Sequence, residues 1–407
     1  MTHDEIQKAL QLHKKWLDKE EDGQRADFSG ANLKKADLRR ADLREADFTK
    51  ADLSEADLRG SDLRGVNFNG AELSGAKLRA ARLRRADVSG ARLVDADMSR
   101  ARLRGANFSG SDLSGADLSG AKLLRVNLRE SNLSKGDLSG ADLSEADLTG
   151  ADLRDADVSG AKLVEVNFTE CKLMGTNLRR SDISGAKLSG AELNHAKLSG
   201  ADLSGADLSG ADLGGVKLRG SDLRGADLTG AKLGKADLSG ANLLKATLSG
   251  ADLSGAKLRG TFLYRANMKG VSLKGADLSG ANICGANLRE ANICGANLYS
   301  SDLSRADLSE ADLRDADLSK TDLSAANFKT ANLTGADLSR ANLSMANLSG
   351  ANLSRVNLCL ANCNNADLSG ANLNGADLNE ADFLGANLKN VNLEGAKVEG
   401  AKGLIPE

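Results

Sequence analysis

One five-residue phrase, Ala, then Asp or Asn, then Leu, then two variable residues, repeats from Ala26 to Gly400 without an insertion or deletion. The stretch holds 75 consecutive pentapeptides, and the third residue is apolar in all 75. The first residue is Ala in 57 of them and is otherwise Ser, Val, Thr, Cys171 or Gly136. Self-similarity at one fixed period indicates a solenoid, in which each unit buries its apolar face by stacking on its neighbours.

A period of five residues fits neither an amphipathic helix, with apolar residues about every 3.6 positions, nor a strand, whose side chains alternate. In the repeat Ala31 to Lys35, Ala31 and Leu33 are expected to point inward, and the chain turns a corner after two outward residues. The pattern therefore predicts an all-β solenoid, with short straight sides wound around a core of Leu and stacked through backbone hydrogen bonds.

The Phe residues at the third position indicate how many sides a coil has. Six of the seven differ in number by multiples of 20: Phe28, Phe48, Phe68, Phe108, Phe168 and Phe328. Twenty residues are four pentapeptides, so the coil is expected to be square, with Phe stacked along one wall. Asp or Asn occupies 57 of the 75 second positions, and these outward side chains are expected to bond to nearby backbone at the turns.

These A(D/N)LxX units, which cover about nine tenths of the chain, resemble those of the pentapeptide-repeat protein family. The resemblance implies a right-handed quadrilateral β-helix of about 19 coils, with four pentapeptides in each coil. Three parts are expected: a capping helix and linker over residues 1–25, the repeat over 26–400 and a short tail over 401–407.

The two ends differ from the repeat. Residues 2–21 are predicted to form a helix, with Thr2 and Glu5 as a capping box and Gly23 as a stop. Its apolar stripe consists of Ile6, Leu10, His13 and Leu17, with Ala9 and Trp16 beside it. We expect this helix to cover the first coil, and a partner-binding or export helix is the alternative. At the other end, Leu404 and Ile405 are expected to fold over the last coil, or that end meets a second copy.

Composition favours a soluble, cytoplasmic protein, and the family resemblance implies a bacterial one. The net charge is −3, and no apolar run is long enough to span a membrane. The acidic, polar start lacks the apolar segment of a secretory signal. The five cysteines show no C-x-x-C spacing, which fits free thiols in a reducing compartment. The expected oligomeric state is a monomer or an end-to-end homodimer.

The residues suggest no catalytic chemistry. His3, His13 and His195 are far apart in sequence, and Gly recurs at the fifth, corner position rather than in a phosphate-binding loop. The chain is therefore predicted to be no enzyme, with no cofactor, no metal and no small-molecule substrate.

One part of the predicted surface departs from uniformity. When repeats are assigned to four walls in order from Ala26, ten cations fall on the third and fourth walls: Lys77, Arg79, Arg82, Arg84, Arg85, Arg100, Arg102, Arg104, Lys122 and Arg125. Only Asp97 and Asp117 are acidic on these walls between residues 76 and 125. This surface is either a solvated face or the docking site of an anionic partner, namely an acidic protein, a nucleic acid or a phospholipid surface.

Phe262 and Tyr264 are further outward residues, and they form a second candidate for a binding role.

The predicted function is a non-enzymatic, rod-like scaffold or interaction module that binds another protein. Two alternatives come from the family resemblance. Some members mimic duplex DNA and shield DNA gyrase from quinolones, and others are secreted bacterial effectors. A DNA mimic needs a strongly acidic surface, whereas this chain is nearly neutral and carries a basic patch.

Overall fold

The computed structural model describes residues 1–404, which fall into two compact units, 1–202 and 203–404. The described part contains one α-helix, α1, at His3–Leu17. The repeat forms single-residue parallel β-bridges in place of longer strands. Within each unit, second-position residues pair with residues 20 positions later, as in Asp52 with Glu72 and Asp302 with Asp322. The coil therefore holds four pentapeptides, as the Phe spacing predicted.

The Phe residues of the first unit line a single wall. Phe28 and Phe48 stack with ring centroids 4.9 Å apart, and Phe48 and Phe68 are 5.0 Å apart. The bridges that run from Asp27 to Asn167 place Phe108 and Phe168 on the same wall. Phe328 is equally buried within the second unit. The predicted stacking of Phe in successive coils is thus confirmed.

The first and third residues of the repeat fill the core. From Phe28 to Phe383, every third-position side chain has at most 2% of its surface exposed. Where the first residue is Ser or Thr, its hydroxyl donates to a backbone carbonyl, which is usually three residues earlier, as for Ser61 and Leu58 (2.6 Å), and is that of Leu153 in the case of Thr176 (2.8 Å). These hydroxyls are buried at little cost because each one has a hydrogen-bond acceptor.

Each repeat ends in a tight turn, which two hydrogen bonds hold in the repeats that have Asp or Asn at the second position. The N–H of Ala31 donates to the carbonyl of Phe28 (3.0 Å), and Gly30 between them has a φ of 61°. The second-position carboxylate or amide accepts from the backbone two residues later, as Asp52 Oδ1 does from the N–H of Ser54 (2.9 Å). The expected bond between outward Asp or Asn and the turn backbone is therefore present.

The N-terminal helix has the predicted capping box but ends sooner than the sequence indicated. The N–H of Glu5 donates to Thr2 Oγ1 (3.3 Å), and the N–H of Thr2 donates to Glu5 Oε2 (2.7 Å). The predicted range of 2–21 is wrong at its C-terminal end, because Lys19 takes a left-handed φ of 61°. The N–H of Lys19 then donates to Trp16 and that of Glu20 to Lys15. These are the bonds of a Schellman termination, so the helix stops at Leu17.

Gly23 does not stop the helix, which corrects a second expectation. A Cβ at Gly23 would lie 2.3 Å from the backbone nitrogen of Trp16. The chain therefore needs glycine here because it folds back against the helix backbone. The N–H of Gln24 donates to the carbonyl of Leu12 (3.0 Å) in the same segment.

Helix α1 packs against the first coil through its predicted apolar stripe, of which Ile6 and His13 are buried. His13 Nδ1 accepts the backbone N–H of Ala26 (3.0 Å), and the amino group of Met1 donates to the carbonyl of Asn32 (2.9 Å). The third-position residues of this coil are at most 2% exposed. In the last described coil of the second unit, by contrast, Val398 is 49% exposed.

The C-terminal tail is described only in part. Leu404 is half-buried, and Leu388 and Leu393 in the last described coil are also only half-buried. Ile405, which was expected to fold over this coil, lies outside the described residues.

His13 should make the docking of α1 sensitive to pH. Burial lowers its pKa, Arg25 and Arg44 lower it further, and Asp42 and a backbone carbonyl act in the opposite sense. A neutral His13 can accept the Ala26 N–H, whereas a protonated one cannot. Since its pKa is lower in the folded state, the stability it adds is present above the unfolded pKa, about 6.5, and is lost as pH falls below that value. We expect the docking free energy to fall by up to about 1.4 kcal/mol per pH unit there.

The only tryptophan, Trp16, reports on this equilibrium because its ring stacks on His13 at a centroid distance of 5.5 Å. Trp16 fluorescence should shift toward that of exposed tryptophan as the pH falls from about 7.5 to about 5.5. His13→Leu should flatten this profile, and His3→Gln, at an exposed position on the same helix, should leave it unchanged. An unchanged profile in His13→Leu would contradict the assignment to His13.

Candidate protein-interaction surface

All ten predicted cations are exposed on outward positions. We call five of them, which lie on the fourth wall, the arginine strip: Arg82, Arg84, Arg85, Arg102 and Arg104. Lys77, Arg79 and Arg100 lie on the third wall, and Lys122 and Arg125 continue the fourth. Parallel bridges pair Arg82 with Arg102 and Arg102 with Lys122 in successive coils. The strip therefore stacks cations about 4.8 Å apart along the wall.

The strip arises where arginine replaces the second-position aspartate of the repeat. One coil earlier, Asp62 accepts hydrogen bonds from Arg64 Nε (2.7 Å) and Nη2 (2.6 Å) and so neutralises it. At the equivalent positions of the next coil stand Arg82 and Arg84. Arg84 therefore has no carboxylate within its own repeat, and the wall changes from neutral to cationic over one coil.

Carboxylates approach the cations only at the two ends of this surface. Arg82 lies 3.7 Å from Asp62, and Lys122 lies 3.8 Å from Asp142. Arg125 bonds to Glu145 at 2.8 Å, and this bond raises the pKa of the guanidinium. Within residues 1–404, the other seven cations have no carboxylate within 4.0 Å: Lys77, Arg79, Arg84, Arg85, Arg100, Arg102 and Arg104.

Asp97 and Asp117, which the sequence suggested as counter-charges, have a different role. Asp97 accepts from the N–H and hydroxyl of Ser99, and Asp117 accepts from the N–H of Ser119. The acidic residues that do pair with the cations lie one coil beyond the interval 76–125, so a search within that interval missed them. The 20-residue register could have identified these acidic residues from the sequence. Asp62 lies 20 positions before Arg82, and Asp142 lies 20 positions after Lys122.

The strip borders a shallow surface depression at the corner of the wall. Arg84, Arg85, Arg104, Gly105 and Arg125 line it. Arg85 and Arg125 have φ values of 58° and 57°, a conformation that glycine adopts without strain. Arginine at these corners is therefore less favourable for the fold than glycine, yet it adds charge to the depression.

A second unusual surface lies within residues 203–404. Phe262 is the only apolar residue among the 75 second positions, and 54% of its surface is exposed. Tyr264 follows it on the same wall, as predicted. The structure adds Leu244 and Cys284, which flank Tyr264 in the preceding and following coils, and sequence reasoning missed them. We call these four residues the aromatic patch.

The remaining outward apolar residues of the second unit are spread over its surface. Exposed members are Tyr299, Met345, Leu360 and Leu384, and Cys359 is half-buried. Isolated apolar residues of this kind are common on protein surfaces and carry no functional inference.

The thiols are free and show no sign of activation. Cys171 and Cys363 occupy inward positions, as predicted, and burial raises the pKa of each to about 12. Such thiols are poor nucleophiles at neutral pH. Over residues 1–404, no three His, Cys, Asp or Glu side chains are grouped so as to hold a metal ion. No helix in the same range has the length and apolar content to cross a membrane.

Comparison with known proteins agrees with this geometry. A family model described as pentapeptide repeats matches residues 24–298 and 301–400 in overlapping segments. Members of this family form right-handed quadrilateral β-helices. No curated protein shows significant sequence similarity to the chain.

Solved structures with similar sequences include two other repeat proteins. HetL, a pentapeptide repeat protein involved in heterocyst differentiation regulation in Nostoc sp. strain PCC 7120, is 39% identical over 53% of this chain and 88% of its own, with a TM-score of 0.31. A pentapeptide repeat protein of the Arabidopsis thaliana thylakoid lumen is 36% identical over 26% of this chain and 68% of its own, with a TM-score of 0.15.

QnrB1, a plasmid-mediated fluoroquinolone resistance protein, is 23% identical over 50% of this chain and 90% of its own, with a TM-score of 0.20. The strict five-residue register, the 20-residue bridges and the family match lead to one assignment: this chain belongs to the pentapeptide-repeat family.

Proposed function

We propose that this chain is a non-enzymatic scaffold that binds an acidic partner protein through the arginine strip. The observation that carries the proposal is that four of the five strip residues, Arg84, Arg85, Arg102 and Arg104, have no carboxylate within 4.0 Å among residues 1–404. Cations about 4.8 Å apart lie within one Debye length of each other at physiological ionic strength, so they repel in the free protein. An anionic partner would relieve that repulsion.

The fourth wall also departs here from what the fold alone would select. Arg82, Arg102 and Lys122 take second positions where Asp or Asn would accept a turn hydrogen bond. The repeat gives up this bond in three successive coils of one wall. Arg82 and Lys122 each approach one carboxylate across a coil, whereas Arg102 has none within 4.0 Å among residues 1–404. The common direction and charge of the three residues support a binding role.

An acidic protein fits the strip better than a nucleic acid or a lipid surface. Carboxylates on one face of a helix, at positions three or four apart, lie about 5–6 Å from each other, close to the spacing of the stacked cations. Proteins that hold single-stranded nucleic acid combine cations with exposed aromatic rings. No aromatic residue occupies an outward position in the repeats between residues 76 and 125.

The test compares two triple variants with the same change in charge. The strip variant carries Arg82→Asp and Arg102→Asp within the strip and Lys122→Asp in the coil that follows it, which restore the common residue of the repeat at three stacked positions. The control variant carries Lys162→Asp, Lys172→Asp and Lys187→Asp, at second positions scattered over three walls of the same unit. Both variants should stay folded, because Asp at this position adds a turn hydrogen bond.

Proteins retained from native cell extract by the immobilised chain should be lost with the strip variant and kept with the control. Retention by the unmodified chain should also weaken as salt rises from about 0.05 to about 0.3 M, since exposed charges are screened over about 8 Å near 0.15 M. Retention that changes neither with salt nor in the strip variant would contradict the proposal. If the chain instead binds selectively to immobilised oligonucleotides or to anionic vesicles, the partner is a nucleic acid or a lipid surface and not an acidic protein.

The gyrase-shielding alternative makes a different prediction. Purified protein would inhibit supercoiling by DNA gyrase or rescue the enzyme from a quinolone, and it would do so equally well in the strip variant. That result would overturn the arginine strip as the working surface and favour the outward Asp residues. Export from the cell would instead support an effector role.

We further propose that residues 1–25 form a cap and linker for the repeat region 26–400, with 401–407 as a tail. The burial of the first coil beneath α1 supports the cap. The five free thiols support a reducing, cytoplasmic location. The half-buried last coil leaves a monomer and an end-to-end homodimer as the two proposed states.

A further inference from the structure

Phe262 occupies a position that the fold normally gives to a polar side chain. The equivalent residues of the preceding and following coils, Asn242 and Asn282, pair with it in register. Asn242 and Asn282 each accept the backbone N–H two residues later, at 3.1 and 3.2 Å. Phe262 cannot accept the corresponding N–H of Tyr264, and it exposes more than half of its apolar surface. The fold therefore gains nothing local from this residue.

The neighbours of Phe262 make the surface continuous over three coils. The N–H of Lys245 donates to the carbonyl of Tyr264 (3.1 Å), and the N–H of Arg265 donates to that of Cys284 (3.0 Å). Leu244, Tyr264 and Cys284 therefore follow one another along the wall, about 4.8 Å apart, beside Phe262. Leu244, Tyr264 and Cys284 are half-buried. The result is an apolar column with one protruding ring.

Cations outnumber acidic residues in the repeats that this column spans. Between residues 244 and 284, the chain has two acids, Asp252 and Asp277, and six cations: Lys245, Lys257, Arg259, Arg265, Lys269 and Lys274. Arg259 lies 3.5 Å from Asp277, and Lys269 lies 3.5 Å from Glu290. Among the described residues, Lys245, Lys257 and Arg265 have no carboxylate within 4.0 Å.

Two of these cations stand at the corner next to the aromatic patch. Lys245 and Arg265 follow one another in successive coils and have φ values of 56° and 54°. Glycine takes this conformation without strain, and it is the common residue at this position of the repeat. As in the arginine strip, the chain places charge where the backbone would favour glycine.

We propose that the aromatic patch binds an acidic protein segment that places one apolar side chain against Phe262. The apolar column supplies the contact for that anchor, and Lys245, Lys257 and Arg265 attract carboxylates on either side of it. This site goes beyond the arginine strip, because it lies in the other unit and requires an apolar anchor as well as negative charge.

A single-stranded nucleic acid fits the patch less well. Binding of successive bases needs several free ring faces, and here only Phe262 offers one. Arg265 covers the ring of Tyr264, with its guanidinium carbon 5.1 Å from the ring centroid. The arrangement therefore suits one apolar anchor flanked by carboxylates.

The experiment uses the full chain and a fluorescently labelled peptide of Asp and Glu residues with one central Phe. Two further probes are the same peptide with a central Ser and a labelled oligo-thymidine. Fluorescence anisotropy gives the affinities. The test variant is Phe262→Asn, which introduces the residue of the neighbouring coils without a change in charge. The control is Met345→Gly, which removes an apolar residue that is 64% exposed at another position of the same unit.

The peptide with the central Phe should bind at least about tenfold more tightly than its Ser counterpart, and Phe262→Asn should remove that difference. Met345→Gly should leave it unchanged. A second variant, Lys245→Gly with Arg265→Gly, should weaken both peptides and reduce the salt dependence. The melting temperature of Phe262→Asn should equal or exceed that of the unmodified chain, because Asn restores the turn hydrogen bond.

Three results would overturn the proposal. One is equal affinity for the two peptides, or no binding of either. Another is oligo-thymidine binding that is tighter than peptide binding and is lost in Phe262→Asn, which would identify a nucleic acid as the occupant. The third is self-association that Phe262→Asn abolishes, which would identify a second copy. The strip variant serves as an independent reference, since it should not affect peptide binding at this patch.

Discussion

Replacing Leu233 by Asp is expected to unfold the coils around it and to lower the free energy of unfolding by about 4 kcal/mol or more. Leu233 is completely buried, and the bridges of Lys232 place it between Leu213 and Leu253. The change removes apolar contacts with both neighbours and leaves a carboxyl group in a core of Leu with no partner. Urea denaturation measures the loss. Hydrogen exchange should show fast exchange confined to nearby coils, because coils contact only their neighbours.

Lys232→Asp is the matched control for this prediction. It introduces the same residue one position earlier, at an outward second position where most repeats already have Asp or Asn. The new carboxylate can accept the backbone N–H of Gly234, so stability should stay the same or rise by up to about 1 kcal/mol. Equal destabilisation by the two variants would show that Leu233 does not lie in the core.

Deletion of residues 1–22 is expected to make the protein associate without destroying the repeat fold. The deletion uncovers the third-position residues of the first coil, Phe28, Leu33, Leu38 and Leu43, which are at most 2% exposed in the intact chain. Exposure of each costs about 1.5–3 kcal/mol, and the backbone groups of this coil lose their cover as well. Light scattering coupled to size-exclusion chromatography should show dimers or larger species, while far-ultraviolet circular dichroism retains the β signal.

The control for this deletion keeps the helix and changes its exposed face through Gln7→Ala and Gln11→Ala. That variant should keep the oligomeric state of the unmodified chain. A deleted protein that neither associates nor loses stability would contradict the capping role. The exposed parts of Trp16 and Leu17 would then become candidates for partner binding.

Much of the candidate surface could be predicted because the repeat has no insertions. Once the period of 20 was known, every residue had an assigned wall and direction, and the exposure of Arg82 to Arg125 followed from numbering alone. The carboxylates that neutralise these cations could not be predicted in the same way, because ion pairing depends on the positions of side chains one coil away. Asp62 binds Arg64 in its own repeat and also approaches Arg82 in the next coil, Glu145 pairs with Arg125 across coils, and Asp97 bonds to Ser99 in its own turn. Which cation an acidic residue approaches beyond its own turn is decided by the side chains around it.

The sequence by itself determined the winding, the core and the turn geometry. Each follows from local constraints that recur at every repeat: a small inward residue, an apolar inward residue, an Asx bond and a left-handed corner. The tertiary structure decided the features that occur only once in the chain and so do not follow from the repeat pattern. Helix α1 ends at Leu17 because Lys19 takes a left-handed φ, after which the chain folds back against the helix at Gly23, and His13 is buried where it accepts the N–H of Ala26. The aromatic patch likewise exists only because stacking brings residues 20 positions apart to within one strand spacing.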